Sequence, residues 1–70
     1  MIARDILLGL KLPGFEYTEI RKNGEVAKLD NKKTIIICNT DNRLEPKFVV
    51  LRKTSILYSG LDIDCVLKCI

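Results

Sequence analysis

The chain contains no histidine. That absence removes the Ser-His-Asp and Cys-His nucleophile arrangements and every zinc site that uses imidazole. The four glycines, Gly9, Gly14, Gly24 and Gly60, stand isolated, with neither a GxxxxGK nor a GxGxxG run, so the backbone cradle that nucleotide phosphates need is missing. No stretch approaches the roughly 18 apolar residues of a membrane span. The opening "MIARDILLGLKLPG" has an early arginine, but Asp5 interrupts its apolar run and no small-residue cleavage site follows, so it does not read as a signal peptide. Cysteine is scarce and odd in number: Cys38, Cys65 and Cys69, with no CxxC pair. A secreted disulfide scaffold of this size carries more, in even number, and a reducing cytoplasm is the expectation.

Seventy residues make one domain. A chain of this size buries only about 60% of its unfolded surface, so its core is small, and pairing with another subunit is a common way to bury more. Twelve basic and nine acidic residues leave a net charge of +3, well short of a dedicated nucleic-acid binder. The Ile-, Lys- and Asn-rich usage fits an AT-rich genome, such as that of a low-GC bacterium or its phage.

Periodicity organises the chain. Ile2, Ile6 and Leu10 fall at i, i+4 and i+8, with Ala3 and Leu7 on the same stripe, which predicts a short helix stopped by Pro13-Gly14. From Phe15 the pattern turns extended. "FEYTEIRKNGEVAKLD" is two runs around Asn23-Gly24, whose readiness for positive φ predicts a two-residue type I′ hairpin turn. "DNKK" marks a second turn, "TIIIC" reads as a strand buried on both faces or nearly so, and "NTDNRLEP" is the longest loop. "KFVVLRKTSILYSG" reads as two strands about a tight bend, or one long bent strand. In "LDIDCVLKCI", Leu61, Ile63, Cys65, Leu67 and Cys69 alternate with Asp62, Asp64, Val66, Lys68 and Ile70, which predicts a final strand with both sulfurs facing the core. On such a strand Cys65 and Cys69 stand roughly 13 Å apart, too far to share a metal or a disulfide. The expected fold is mainly β: one short N-terminal helix, then an antiparallel five- to six-stranded meander, open under the helix or curled into a small barrel. The order of helix, strands and the bend "LRKTSI" resembles Sm-like and SH3-like barrels, without the Gly and Asp positions of their earlier strands and with a final strand added. That resemblance concerns fold and does not fix function.

Each candidate site has a plainer explanation beside it. A zinc site from the three cysteines with Asp62 or Asp64 lacks the paired spacing such sites use, so unligated thiols and no metal or other cofactor are expected. Asp62 with Asp64, and Glu16 with Glu19, form carboxylate pairs able to shift each other's pKa, yet solvent-facing charge on a terminal strand also keeps edges from aggregating. No catalytic residue is expected. The basic doublets are the sharper signal. Lys32-Lys33 and Arg52-Lys53 fall at turns on the same end of a meander, where Lys32, Lys33, Arg52 and Lys53, joined by Lys28 or Lys47, could meet phosphates or an acidic protein surface; solvated turn charge is the alternative. Phe15 and Tyr17 share a strand face, as a base-stacking platform or, better, as a core edge.

Three functional readings follow, in decreasing order. The first is a small non-enzymatic interaction module (adaptor, inhibitor or regulatory subunit) that binds a protein partner through a sheet edge or a mixed-charge face, with homodimers or higher oligomers open to it. The second is a nucleic-acid-binding small barrel using the basic turns. The third is an enzyme or small-ligand binder, for which Asp62 and Asp64 are the nominal candidates. No membrane partner is expected.

Overall fold

A computed structural model describes residues 2–41 and 45–70. Helix α1, Ala3–Gly9, buries Ala3 and Leu7 from the expected stripe. It stops short of Pro13. Leu10 caps it, Lys11 takes a φ of 52°, and their N–H groups donate to the carbonyls of Leu7 and Leu8 at 3.2 Å. A left-handed residue directly after the last turn is a common way to end a helix, and here it acts before the proline can.

Five strands follow: β1 Glu16–Arg21, β2 Val26–Asp30, β3 Thr34–Asn39, β4 Lys47–Arg52 and β5 Ser55–Gly60. They pair antiparallel in chain order, a meander with β1 and β5 at its edges. The sheet is open, so the small curled barrel, and with it the resemblance to closed Sm-like and SH3-like folds, does not hold.

Asn23 and Gly24 both have positive φ, 69° and 72°, but the hairpin is wider than a two-residue type I′ turn. The last pair is Arg21 with Val26, so the connection takes four residues and includes the 3-10 turn Lys22–Gly24. Packing explains the widening. A Cβ on Gly24 would lie 2.9 Å from Cβ and Cδ1 of Ile2, so the turn is pressed onto the start of α1. Thr40 fixes it from the other side: its N–H donates to the Glu25 carbonyl at 2.6 Å, and its hydroxyl donates to the carbonyls of Glu25 and Gly24.

The β2–β3 connection is where "DNKK" placed it. Asn31 Oδ1 accepts from the N–H groups of Lys33 and Thr34, Asp30 Oδ1 accepts from that of Lys32, and Lys32 sits at φ 77°. These short side chains take up N–H groups that no strand pairs, which is why Asp and Asn favour turns. Arg52 pairs with Ser55, leaving Lys53-Thr54 as a two-residue turn with Lys53 at φ 56°, so "KFVVLRKTSILYSG" is two strands. The longest loop falls partly on residues 42–44, outside the described residues.

Alternation assigns the two faces of the sheet. Ala27, Leu29, Ile36, Cys38, Phe48 and Val50 face one side and form the core with Ala3, Leu7 and Val66 from the helices. "TIIIC" is buried fully on one face and partly on the other: Thr34, Ile36 and Cys38 are buried, while Ile35 and Ile37 are half-buried on the other side. Phe15 and Tyr17 pack against the core.

The largest departure from expectation is the C-terminus. The final segment is not a strand but helix α2, Ile63–Lys68. Asp62 caps it, its carboxylate accepting from the Asp64 N–H at 2.9 Å, and the Asp62 N–H donates to the Tyr58 hydroxyl at 2.9 Å. Ile63, Val66 and Cys69 turn inward, Val66 completely. A side-chain oxygen on the N-terminal N–H groups, Asp64 in the first turn and Lys68 in the last all suit a helix dipole. Both helices lie on the same face of the sheet, α1 over β1–β3 and α2 over β4.

Candidate interaction surface

The four basic residues singled out in the sequence come together. Lys32 and Lys33 from the β2–β3 turn, with Arg52 and Lys53 from the β4–β5 turn, line one depression of about 330 Å³. The register makes this unavoidable, because Thr34 pairs with Arg52 and thereby sets the two turns side by side. Among the described residues, none of the four is in an ion pair; the pairs present are Arg4–Asp5, Arg21–Glu25 and Arg21–Asp41. Lys28 and Lys47 do not join them. Both lie on the helix-free sheet face, opposite Ile37 and Asn39 of β3. A second depression, of about 230 Å³, is lined by Gly14, Glu16, Asp30, Asn31 and Lys32 and mixes both signs of charge.

The helix-free face was not singled out by sequence pattern. A row of Val26, Asn39 and Lys47 bounds it at one end, and two cross-strand rows define its middle: Thr18, Lys28, Ile37, Val49, Ser59, and then Glu16, Asp30, Ile35, Leu51, Ile56. Neither helix covers them. Ile35, Ile37, Val49 and Leu51 are half-buried, and Ile56 is 65% exposed. Continuous aliphatic surface rimmed by charge is what interaction sites present. The signal available in the sequence was "TIIIC" beside "KFVVL": both parities of two adjacent strands are apolar, more than a sheet with one covered face can hide.

The two edges differ. β1 carries Glu16, Glu19 and Arg21 and a bulge after Glu19, the devices by which edges resist pairing. β5, Ser55–Gly60, also has an irregularity, opposite Val50/Leu51, but it holds no charged residue and exposes Ile56 and Leu57. Ile56 belongs to both the aliphatic face and the free edge.

The thiols and carboxylates of the last segment are arranged otherwise than expected. Cys65 and Cys69 lie one helical turn apart, about 6 Å along the axis at 1.5 Å per residue, and are half-buried. The fully buried cysteine is Cys38. Its thiol is pushed up to about 11 by burial. Cys65 is raised by partial burial and by the Asp62 carboxylate, which accepts from its thiol at 3.6 Å. A thiol raised above its usual range is protonated at neutral pH and a weak nucleophile. Asp62 and Asp64 do not share a strand face: Asp62 is spent on capping. Among the described residues, no three Cys, Asp or Glu side chains converge as metal donors. The Tyr17 hydroxyl is buried without a hydrogen-bond partner among them, and burial, with Glu19 nearby, raises its pKa. No helix in the described residues is long and apolar enough to cross a membrane.

No protein-family model, curated protein or solved structure matches the chain.

Proposed function

We propose that the chain is a small non-enzymatic interaction module of the cytoplasm that binds a protein partner through the helix-free face of its sheet and the adjoining β5 edge. One observation carries the reading: Ile35, Ile37, Val49, Leu51 and Ile56 form an aliphatic surface that neither helix covers and that runs into an uncharged edge strand. Burying it against a partner removes apolar area from water at about 25 cal/mol per Å² of gross gain, and a free edge offers main-chain hydrogen bonds to an extended segment. A photo-crosslinking side chain placed at Leu51 or Ile56 in the producing cell should give covalent protein adducts of discrete mass, and one at Glu19 on the guarded edge should give none. Absence of protein adducts at both positions, with the variants folded, sinks the reading.

The basic depression favours a second reading, a phosphate-contacting nucleic-acid surface. Four cations around one concavity, without ion-pair partners among the described residues, would each release counterions on binding. Affinity would then fall steeply with salt, with a log–log slope of about −0.9 per phosphate neutralised on duplex DNA. Alanine at Lys32, Lys33, Arg52 and Lys53 together should abolish DNA and RNA binding. Unchanged affinity in that variant removes this reading.

A further inference from the structure

The partner that the helix-free face fits best is a second copy of itself; this inference rests on the reading of that face as an interaction surface and names what covers it. The two rows are complementary to each other across a two-fold axis. Let the axis lie in the interface, perpendicular to the strands and midway between the rows. Each strand then lies over its own copy, and the Lys28 row of one protomer faces the Asp30 row of the other. Ile37 meets Ile35, Val49 meets Leu51, and Lys28 meets Asp30, each contact made twice as two-fold symmetry requires; beyond them Lys47 comes toward Lys53, both exposed at the rim, where long side chains keep their ammonium groups in water. A two-fold axis along the strands fails this test. Centred on β3, it sets Lys28 over Val49 and Asp30 over Leu51; centred between β3 and β4, it sets Asp30 over Ile56. Each of those placements desolvates a carboxylate against aliphatic carbon, which is costly without a partner.

We infer that the chain self-associates face to face about this crosswise axis, with eight aliphatic side chains flanked by two Lys28–Asp30 ion pairs. Sheets packed in this way stand about 10 Å apart with strands inclined by about 30°. Five strands of about six residues give a face roughly 20 Å across in each direction. That lies at the low end of specific interfaces, so the dimer is concentration-dependent rather than obligate.

Sedimentation equilibrium from micromolar to millimolar protein at low ionic strength tests it. The unaltered chain should shift from monomer to dimer as concentration rises. Lys28→Glu and Asp30→Lys each replace two attractions by two repulsions and should weaken self-association by about tenfold or more. An equimolar mixture of these two variants should restore association as a heterodimer. The introduced glutamate of one chain then faces the introduced lysine of the other, while the remaining Asp30 and Lys28 face each other at the second contact. Asp30 also accepts the Lys32 N–H, so Asp30→Lys can loosen the β2–β3 turn. Val49→Lys, in the middle of the aliphatic patch, is the second variant and should be monomeric. A monomer at every concentration overturns the inference, as does a dimer that neither Lys28→Glu nor Val49→Lys weakens, or two folded charge variants whose mixture stays monomeric. A monomeric chain that still crosslinks from positions 51 and 56 to a different protein overturns self-pairing and leaves the interaction module standing. A monomer without protein adducts overturns both.

Discussion

Gly24 carries two requirements that a side chain cannot meet together. Its φ of 72° lies in the left-handed region, which costs an L-residue about 1–2 kcal/mol, more when the residue is β-branched. A Cβ there would also press into Ile2 at 2.9 Å, against atoms held close to the backbone at the start of α1. Gly24→Val should therefore lower stability by more than about 2 kcal/mol in urea unfolding, strain and overpacking adding. Gly9 is the control within the same chain. It ends α1 with nothing within 4 Å of its Cβ position, so Gly9→Ala should hold or raise stability, by up to about 1 kcal/mol. Equal effects at the two glycines would mean that the turn does not rest on α1. The positive φ at Asn23-Gly24 was legible in the sequence because it is a property of two adjacent residues. The width of the turn was not, since it depends on Ile2, more than twenty positions away. The cysteines follow the same rule. Nothing within Cys38, Cys65 or Cys69 says which thiol the core will enclose; the element each one sits on decides.

At the scale of the element, the last segment satisfies two periods at once. Leu61, Ile63, Cys65, Leu67 and Cys69 fit alternation, while Ile63, Val66, Leu67 and Ile70 fit i, i+3, i+4, i+7. Apolar runs this short cannot be assigned by periodicity alone, and the cap has to arbitrate. Under alternation Asp62 is solvent-facing strand charge, although Asp before an apolar run is also a helix start signal. In the folded chain its carboxylate takes the Asp64 N–H and touches the Cys65 thiol, and its own N–H is held by Tyr58. Asp62→Ala should cost about 1 kcal/mol of stability, the usual effect of removing such a cap. It should also bring the Cys65 pKa down toward its ordinary value, because the carboxylate beside the thiol helps hold it up. A thiol-reactive probe followed against pH reads the second effect and chemical denaturation the first. A variant with unchanged stability and an unchanged Cys65 profile would argue for the strand instead. The strands before it were legible because each hairpin is a local event: turn formers at Asn23-Gly24 and Asn31, apolar runs between them, and pairing in chain order.

Across the whole molecule, closure and coverage were not legible, because both depend on which face the helices choose. α1 and α2 share one face, β1 and β5 remain edges, and the surplus aliphatic residues of β3 and β4 are left on the other side. Charge is distributed as unevenly as apolar surface. The basic end gathers Lys32, Lys33, Arg52 and Lys53 without an ion-pair partner among the described residues. That grouping was legible in the sequence, since doublets at alternate turns of a meander must meet at one end. Four like charges around one depression repel one another and destabilise the fold that holds them together, most strongly at low salt where screening is weak. Lys33→Glu changes an exposed residue without positive φ and introduces an opposite charge among the other three. It should raise the melting temperature at low salt, by an amount equivalent to about 0.5 kcal/mol, the size of an exposed charge pair. The gain should vanish near 1 M salt, where the Debye length is about 3 Å. Added polyphosphate should stabilise the unaltered chain more than this variant, because an anion that binds only the folded state raises its stability by mass action. A melting temperature that Lys33→Glu leaves unchanged at low salt would show that the four cations are too well solvated to act together. The depression would then have no electropositive field with which to draw a phosphate.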